Sequence, residues 1–121
     1  MSSVLWFHQN WVYVALVTTG LVGAWGLVLA ALRRRPGRAF GIGAGVAIAA
    51  ILIQIAAGTV LYANGFRPLN GFHVFYGAVV AITLSLAYVY RAQFARRPAL
   101  SYGLLLLFVM GLGFRAWSNV S

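Results

Sequence analysis

Two histidines, His8 and His73, are the side chains of this chain whose chemistry best suits binding a metal or a cofactor. The 121-residue sequence contains no cysteine, aspartate or glutamate, so imidazole nitrogen is the strongest ligand available. The same absence excludes a thiol-disulfide oxidoreductase, a calcium or magnesium cage, a carboxylate proton relay and a catalytic histidine with a carboxylate partner. His73 lies in a polar stretch, residues 65–77, which separates two long apolar runs.

The composition indicates an integral membrane protein. Hydrophobic residues make up 63% of the chain and charged residues only 7%, which is more apolar surface than a soluble domain of this size can bury. Apolar runs approach the roughly 20 residues that a helix needs to cross about 30 Å of hydrocarbon. They cover residues 11–32, 40–62, 71–90 and 99–117. We therefore predict an all-α, four-transmembrane-helix up-down bundle, formed by one integral membrane domain over residues 1–121, with the first span a retained anchor.

The arginines predict the orientation of this bundle. All of the net charge of +9 comes from arginine, and most arginines fall in two loops, residues 33–38 and 91–97, which an up-down bundle places on one side. The positive-inside rule makes these loops cytoplasmic and both termini external. Trp6, Trp11 and Trp117 then lie at the outer interface, where amphipathic rings prefer to sit. We expect the protein to lie in a bacterial inner membrane and to contact anionic lipids. We expect no nucleic-acid partner, because basic groups beside membrane spans act as topology signals.

Small residues predict which helix faces pack together, because they let helix backbones approach closely. In the first span they recur at helical spacing, at Ala15, Thr19, Gly23, Gly26 and Ala30. In the second span they form a small-xxx-small pair followed by further small residues, at Gly41, Gly45, Ala47, Ala50 and Gly58. Gln54 lies on the stripe of the second span, so we expect its amide to point into the bundle.

His8 and His73 belong at the outer boundary of the bundle and at similar depth, since one precedes the first span and the other opens the third. These helices are diagonal partners in an up-down bundle. Neighbouring axes about 8 to 10 Å apart put diagonal axes roughly 11 to 14 Å apart. Two imidazoles at that separation are close to sandwiching a metal, as in a bis-histidine haem. The predicted metal ligands are therefore His8 and His73, and the predicted cofactor is haem b.

Further residues near the outer boundary are candidates to complete a haem site. Arg67 and Arg115 are the arginines expected on the outer side, where they would pair with haem propionates. Trp11 and Tyr76 are candidates for contacts with the macrocycle. Met110 is an alternative axial ligand on the fourth span.

Three functions stay open at this point. The first is a b-type haem protein in electron transfer or haem handling near a respiratory complex. The second is a non-catalytic accessory or structural subunit of a larger membrane complex, in which the histidines are interfacial polar residues and the arginines only reach for phosphates. The third is a quinone-binding membrane protein with a site built from His73, Tyr76, Gln54 and Trp11. We expect no catalytic activity from the chain by itself.

A weak internal repeat relates the two halves of the chain. Short matches occur in the same order in both, pairing residues 7–8, 34–36 and 40–41 with residues 72–73, 96–98 and 102–103. In a true parallel repeat, a pseudo-twofold axis along the membrane normal would relate His8 to His73.

Three segments, residues 72–77, 88–91 and 111–116, resemble a group of uncharacterised actinobacterial-type four-helix membrane proteins. In architecture the chain also resembles one four-helix half of the haem A synthase family, which holds haem between histidines toward the outer face. The chain lacks that family's acidic first-loop motif and its histidines in the second and fourth spans. The resemblance therefore implies a haem-holding bundle without haem A synthesis.

Overall fold

The computed structural model describes residues 2–66 and 71–118, and the elements in these ranges are helices. In chain order they are α1 (Ser2–Ala31), α2 (Arg38–Ala63), α3 (Gly71–Val89), α4 (Arg91–Phe94) and α5 (Pro98–Ser118). Four of them, all but the single-turn α4, are long and apolar enough to cross a membrane. The prediction of an all-α four-helix bundle is confirmed, and the chain is a multi-pass membrane protein.

The first helix begins earlier than the apolar pattern predicts. Its 30 residues make a rod of about 45 Å, which is longer than the roughly 30 Å of hydrocarbon in a bilayer. The helix continues past the start of the apolar run toward Ser2. His8 therefore lies inside α1 and shares a helix face with Ala15.

α1 and α2 end in the same backbone motif. In each, the third residue past the helix donates its N–H to a carbonyl five residues back at 2.9 Å, which requires a left-handed residue just before the donor. In α2 that residue is Gly65, with φ at +85°, and in α1 it is Arg33, with φ at +53°. Glycine adopts this conformation without steric cost, whereas arginine does not.

The closest helix contact joins α1 to α5 through glycines. A Cβ atom at Gly26 would lie 2.6 Å from the carbonyl oxygen of Ala99, and one at Gly103 would lie 3.0 Å from that of Gly23. Only residues without side chains allow two backbones to approach this closely. The predicted packing of the small stripe of α1 is confirmed, and within it Thr19 is completely buried.

The predicted packing of Gly41 and Gly45 is wrong. Both are exposed, and a Cβ at either position would meet nothing within 4 Å. The buried face of α2 runs instead through Ala44, Ala47 and Ile51. Successive residues of a helix are rotated by about 100° about its axis, so Gly41 and Gly45 point away from that face. Their small size therefore does not serve the packing of this bundle.

The bundle is open along one edge. α1 packs on α2 and α5, and α3 packs on α5, but α2 and α3 barely touch although they are consecutive along the chain. A twofold axis relating α1 to α3 and α2 to α5 would make the α1–α5 and α2–α3 contacts equivalent. The contacts therefore depart from the symmetry that the internal repeat requires.

Side chains bridge this opening in the middle of the bundle. Ile51 of α2 belongs to the same buried cluster as Val80 and Leu84 of α3, and as Leu105 and Val109 of α5. Longer apolar side chains thus fill the core where the helix backbones stand apart.

Candidate functional site

The histidine end of the bundle, at which α1 and α3 begin and α2 and α5 end, brings His8 and His73 together. Their ring centroids lie 6.1 Å apart, and the ring planes are perpendicular, at 90°. Both side chains are half-buried. α1 and α3 do not pack against each other, so the two imidazoles meet across the bundle from diagonal helices.

His73 is held from α5. Its Nδ1 lies 2.7 Å from the carbonyl oxygen of Ala116. Because a carbonyl oxygen only accepts, Nδ1 carries the hydrogen and donates it, and Nε2 of the neutral ring keeps its lone pair. A backbone carbonyl bonded to one ring nitrogen is the usual way in which a ligating histidine is oriented. The ring of His73 is therefore prepared to offer Nε2 to a metal or to a hydrogen-bond donor.

His8 lies against the backbone of α2. A Cβ at Gly58 would be 2.9 Å from Cε1 of His8, so the absence of a side chain there leaves the space that the ring occupies. The Nδ1 atom of His8 is buried and has no hydrogen-bond partner among the described residues. A buried polar atom left in this state costs about 1 to 3 kcal/mol. This nitrogen is therefore a candidate contact for a bound group.

Gln54 brings a second polar atom of this kind to the same place. Its Nε2 donates to the carbonyl oxygen of His8 at 2.8 Å, so the amide points toward α1, as the sequence predicts. Its Oε1 is buried and, like Nδ1 of His8, finds no partner in the part of the chain that the structure describes. Gln54 therefore ties α2 to α1 and leaves an acceptor in the site.

Trp11 makes a similar tie one turn deeper in the bundle. Its Nε1 donates to the carbonyl oxygen of Ala50 at 2.8 Å, and its ring stacks on Phe7 with centroids 5.1 Å apart. Its N–H group is therefore already used within the protein. Tyr76, about one turn after His73 on α3, is half-buried and its ring makes an edge contact with Phe75 at 5.3 Å.

The remaining predicted site residues are placed differently from one another. Arg115 lies in the last turn of α5, exposed, and directly precedes the carbonyl that orients His73. Arg67 lies outside the described residues. Met110 is not brought to the histidines: its sulfur lies 2.7 Å from where a Cβ at Gly20 would be, which is about 18 Å along α1 from His8.

Two contributors to the site were not assigned a role from the sequence. Gly58 belongs to the predicted small stripe, but only the structure assigns the space above it to the ring of His8. The carbonyl of Ala116 has no sequence signal at all, because every residue carries such a group.

A separate feature, a groove of about 440 Å³, lies at the opposite end of the bundle from the histidines.

The ligand set of the site is small. Among residues 2–66 and 71–118 there is no group of three or more histidine, cysteine, aspartate or glutamate residues that could hold a metal ion. A metal at His8 and His73 would therefore need further ligands that do not come from such side chains.

Comparisons of the chain with protein-family models, with curated protein sequences and with solved structures found no match.

Proposed function

We propose that the protein binds one b-type haem between His8 and His73 and serves electron transfer or haem handling beside a respiratory complex. The observation that carries this proposal is the 6.1 Å between the two ring centroids. Two imidazoles on opposite sides of one metal ion, each nitrogen about 2 Å from the metal, put their centroids about 6 Å apart. The spacing therefore suits coordination of a single ion from both sides.

A macrocycle is the partner that best fits a pair of imidazoles. Haem iron receives its equatorial nitrogens from the porphyrin and needs only axial ligands from the protein. That requirement matches a site with two histidines and no group of three or more ligating side chains in the described residues. His8 and His73 would hold such a group, which would supply one-electron redox chemistry at this end of the bundle.

The hydrogen bonds around the histidines support the same assignment. The Ala116 carbonyl leaves Nε2 of His73 available as a ligand. If His8 also binds through Nε2, its Nδ1–H needs an acceptor, and the buried Oε1 of Gln54 is an acceptor without a partner in the described residues. A bond between these two atoms, direct or through one water, would satisfy both.

A quinone site receives less support from the same contacts. A quinone carbonyl accepts hydrogen bonds, so its site must supply donors. The N–H of Trp11 and the Nδ1–H of His73 already donate to backbone carbonyls, and the amide of Gln54 donates to a third. Of the groups left over at this end, Oε1 of Gln54 and Nε2 of His73 are acceptors, which suit a metal or a donor, and the donors that a quinone would still find are the one ring N–H of His8 and the hydroxyl of Tyr76.

Charge also favours a cofactor that carries its own carboxylates. The chain has no aspartate or glutamate, so haem propionates would bring acids to a protein that lacks them. Arg115, which directly precedes the residue whose carbonyl bonds His73, is the predicted partner of one propionate. Arg67 is assigned to the other by its position in the sequence.

The experiment is an absorption spectrum of the protein purified in detergent from haem-replete cells. We expect a Soret band and, after dithionite, an α-band of the b type. His8→Ala and His73→Ala should each abolish the low-spin spectrum. Asn10→Ala is the matched control, because Asn10 is exposed on the same helix and donates to a carbonyl of its own helix, that of Trp6, at 2.8 Å.

A correctly folded, colourless wild-type protein would rule out the haem proposal. The alternative, an accessory subunit of a larger membrane complex, predicts that both histidine variants keep the fold and the partner. Co-purification of a larger complex with His8→Ala and His73→Ala as well as with the wild type, with no pigment in any of them, would favour that alternative.

A further inference from the structure

The arginine end of the bundle carries a groove between α2 and the start of α5. Its volume is about 440 Å³, and α3 contributes no lining residue. The wall includes Gly37, Gly41, Gly45, Ile48, Pro98 and Tyr102. A Cβ at any of these three glycines would meet nothing within 4 Å. The groove is therefore open, with an apolar wall along the second helix.

Arginines border this groove without a counter-charge. Arg35 and Arg38 flank its lining residues Pro36 and Gly37, Arg97 precedes its lining residue Pro98, and all three arginines are exposed. The sequence has no aspartate or glutamate, so no side-chain carboxylate can neutralise them. An anion from outside the chain is needed to offset this charge.

Arg91 shows the contrasting situation within the same end of the bundle. Its guanidinium donates to the carbonyl of Tyr88 at 2.9 Å and lies 4.4 Å from the centroid of the Tyr88 ring. Its guanidinium is therefore held against Tyr88 of α3, a helix that does not line the groove. It therefore offers a charge-matched control for the arginines at the mouth of the groove.

We propose that this groove binds one anionic phospholipid, with an acyl chain along the glycine face of α2 and its phosphate against Arg35, Arg38 and Arg97. An apolar groove with three exposed arginines next to its lining residues matches the two parts of such a lipid. Guanidinium groups bind phosphate oxygens with paired hydrogen bonds, and basic pockets between membrane helices are typical sites for anionic headgroups. A second copy of this chain is a poor occupant, because it brings the same uncompensated positive charge.

The test measures lipid binding by native mass spectrometry of the delipidated full chain in detergent, with thermal unfolding as a second readout. Phosphatidylglycerol and phosphatidylcholine with identical acyl chains separate the effect of the headgroup charge. The triple variant R35Q/R38Q/R97Q removes the charge, and Gly41→Leu with Gly45→Leu fills the groove where there is open space. Arg91→Gln and Ala49→Leu are the controls, the latter adding bulk to an exposed position of α2 outside the groove.

We expect one tightly bound phosphatidylglycerol per chain and a higher unfolding temperature with it, but neither effect with phosphatidylcholine. Each arginine removed should weaken binding about five-fold, and the triple variant about 100-fold. The groove-filling variant should lose the bound lipid while remaining folded, and both controls should bind as the wild type does.

Three results would overturn the proposal. One is equal binding of the two lipids. Another is undiminished phosphatidylglycerol binding by the triple variant or the groove-filling variant. The third is a wild-type dimer that Gly41→Leu with Gly45→Leu converts to a monomer without any change in lipid binding, which would assign the groove to a second copy. None of these readouts depends on whether haem is bound at the other end.

Discussion

Gln54 on α2 donates its amide hydrogen to the carbonyl oxygen of His8 on α1 at 2.8 Å. His73 on α3 is in turn bonded to a carbonyl of α5, that of Ala116, at 2.7 Å. Each histidine is thus positioned by the partner helix of its own hairpin. The 6.1 Å between the rings depends on how the two hairpins pack, and hence on the α1–α5 contact.

The bond between Gln54 and His8 can be removed by Gln54→Leu. We expect the free energy of unfolding to fall by about 0.6 kcal/mol, the usual worth of a hydrogen bond between membrane helices, partly offset by the loss of the unpartnered Oε1 atom. The measurement is an SDS titration in mixed micelles followed by circular dichroism. Ile53→Leu, at an exposed neighbouring position, should leave the midpoint unchanged, and an equal loss in both variants would contradict the assignment.

Gly58 provides the clearance for the ring of His8. Gly58→Val should push the ring away, because a Cβ there would lie 2.9 Å from Cε1, at a cost of about 1 to 3 kcal/mol. The displaced imidazole should react faster with diethyl pyrocarbonate, as followed by peptide mass spectrometry, while His73 serves as an internal reference. Gly111→Val is the control, since its Cβ would meet nothing within 4 Å. An unchanged His8 reactivity would show that the ring does not depend on this glycine.

The α1–α5 contact should be the part of the bundle least tolerant of added bulk. Gly26→Leu would place a Cβ 2.6 Å from a backbone oxygen of Ala99, and neither backbone can move without separating the helices. We expect a loss of about 1 to 3 kcal/mol or more, measured by thermal unfolding in detergent. Gly41→Leu adds the same side chain to open space on α2 and should be tolerated. A similar loss in both variants would mean that helix propensity or insertion, not packing, dominates.

The left-handed residues after α1 and α2 predict opposite effects of substitution. Gly65→Ala forces a side chain into a conformation with φ at +85° and should cost about 1 to 2 kcal/mol. Arg33→Gly relieves the same strain at φ +53° and should stabilise the protein by up to about 1 kcal/mol. Arg34→Gln controls for the loss of one charge in that loop. Both effects are read as shifts in unfolding temperature, and destabilisation by Arg33→Gly exceeding that of Arg34→Gln would refute the assignment.

The prediction of the fold from the sequence succeeded where apolar content alone decides the outcome. The runs that end at Leu32 and begin at Phe40 lie within two residues of helix ends in the structure, because lipid leaves a helix as the only way to satisfy so apolar a backbone. The helix α1 extends beyond the start of the apolar run at Trp11, since residues 6–10 are mostly polar or interfacial and still continue the helix.

Small residues were a less certain guide to packing. Ala15 and Thr19 are buried as predicted, whereas Gly41 and Gly45 have the same spacing and face open space. A glycine permits close approach but does not attract a partner helix. Which stripe is used depends on how the other helices pack, and here α3 stands away from α2.

The amino-acid sequence by itself determined that the chain crosses the membrane as helices, that its arginines gather at one end, and that imidazole is its best ligand, because these follow from composition and from the hydrophobicity of each segment. Only the tertiary structure decided that His8 and His73 meet, that the carbonyl of Ala116 and the bare backbone of Gly58 orient them, and that a groove opens beside α2. Those features depend on distances between helices far apart along the chain. Such distances are set by the sum of weak packing contacts and not by any local pattern.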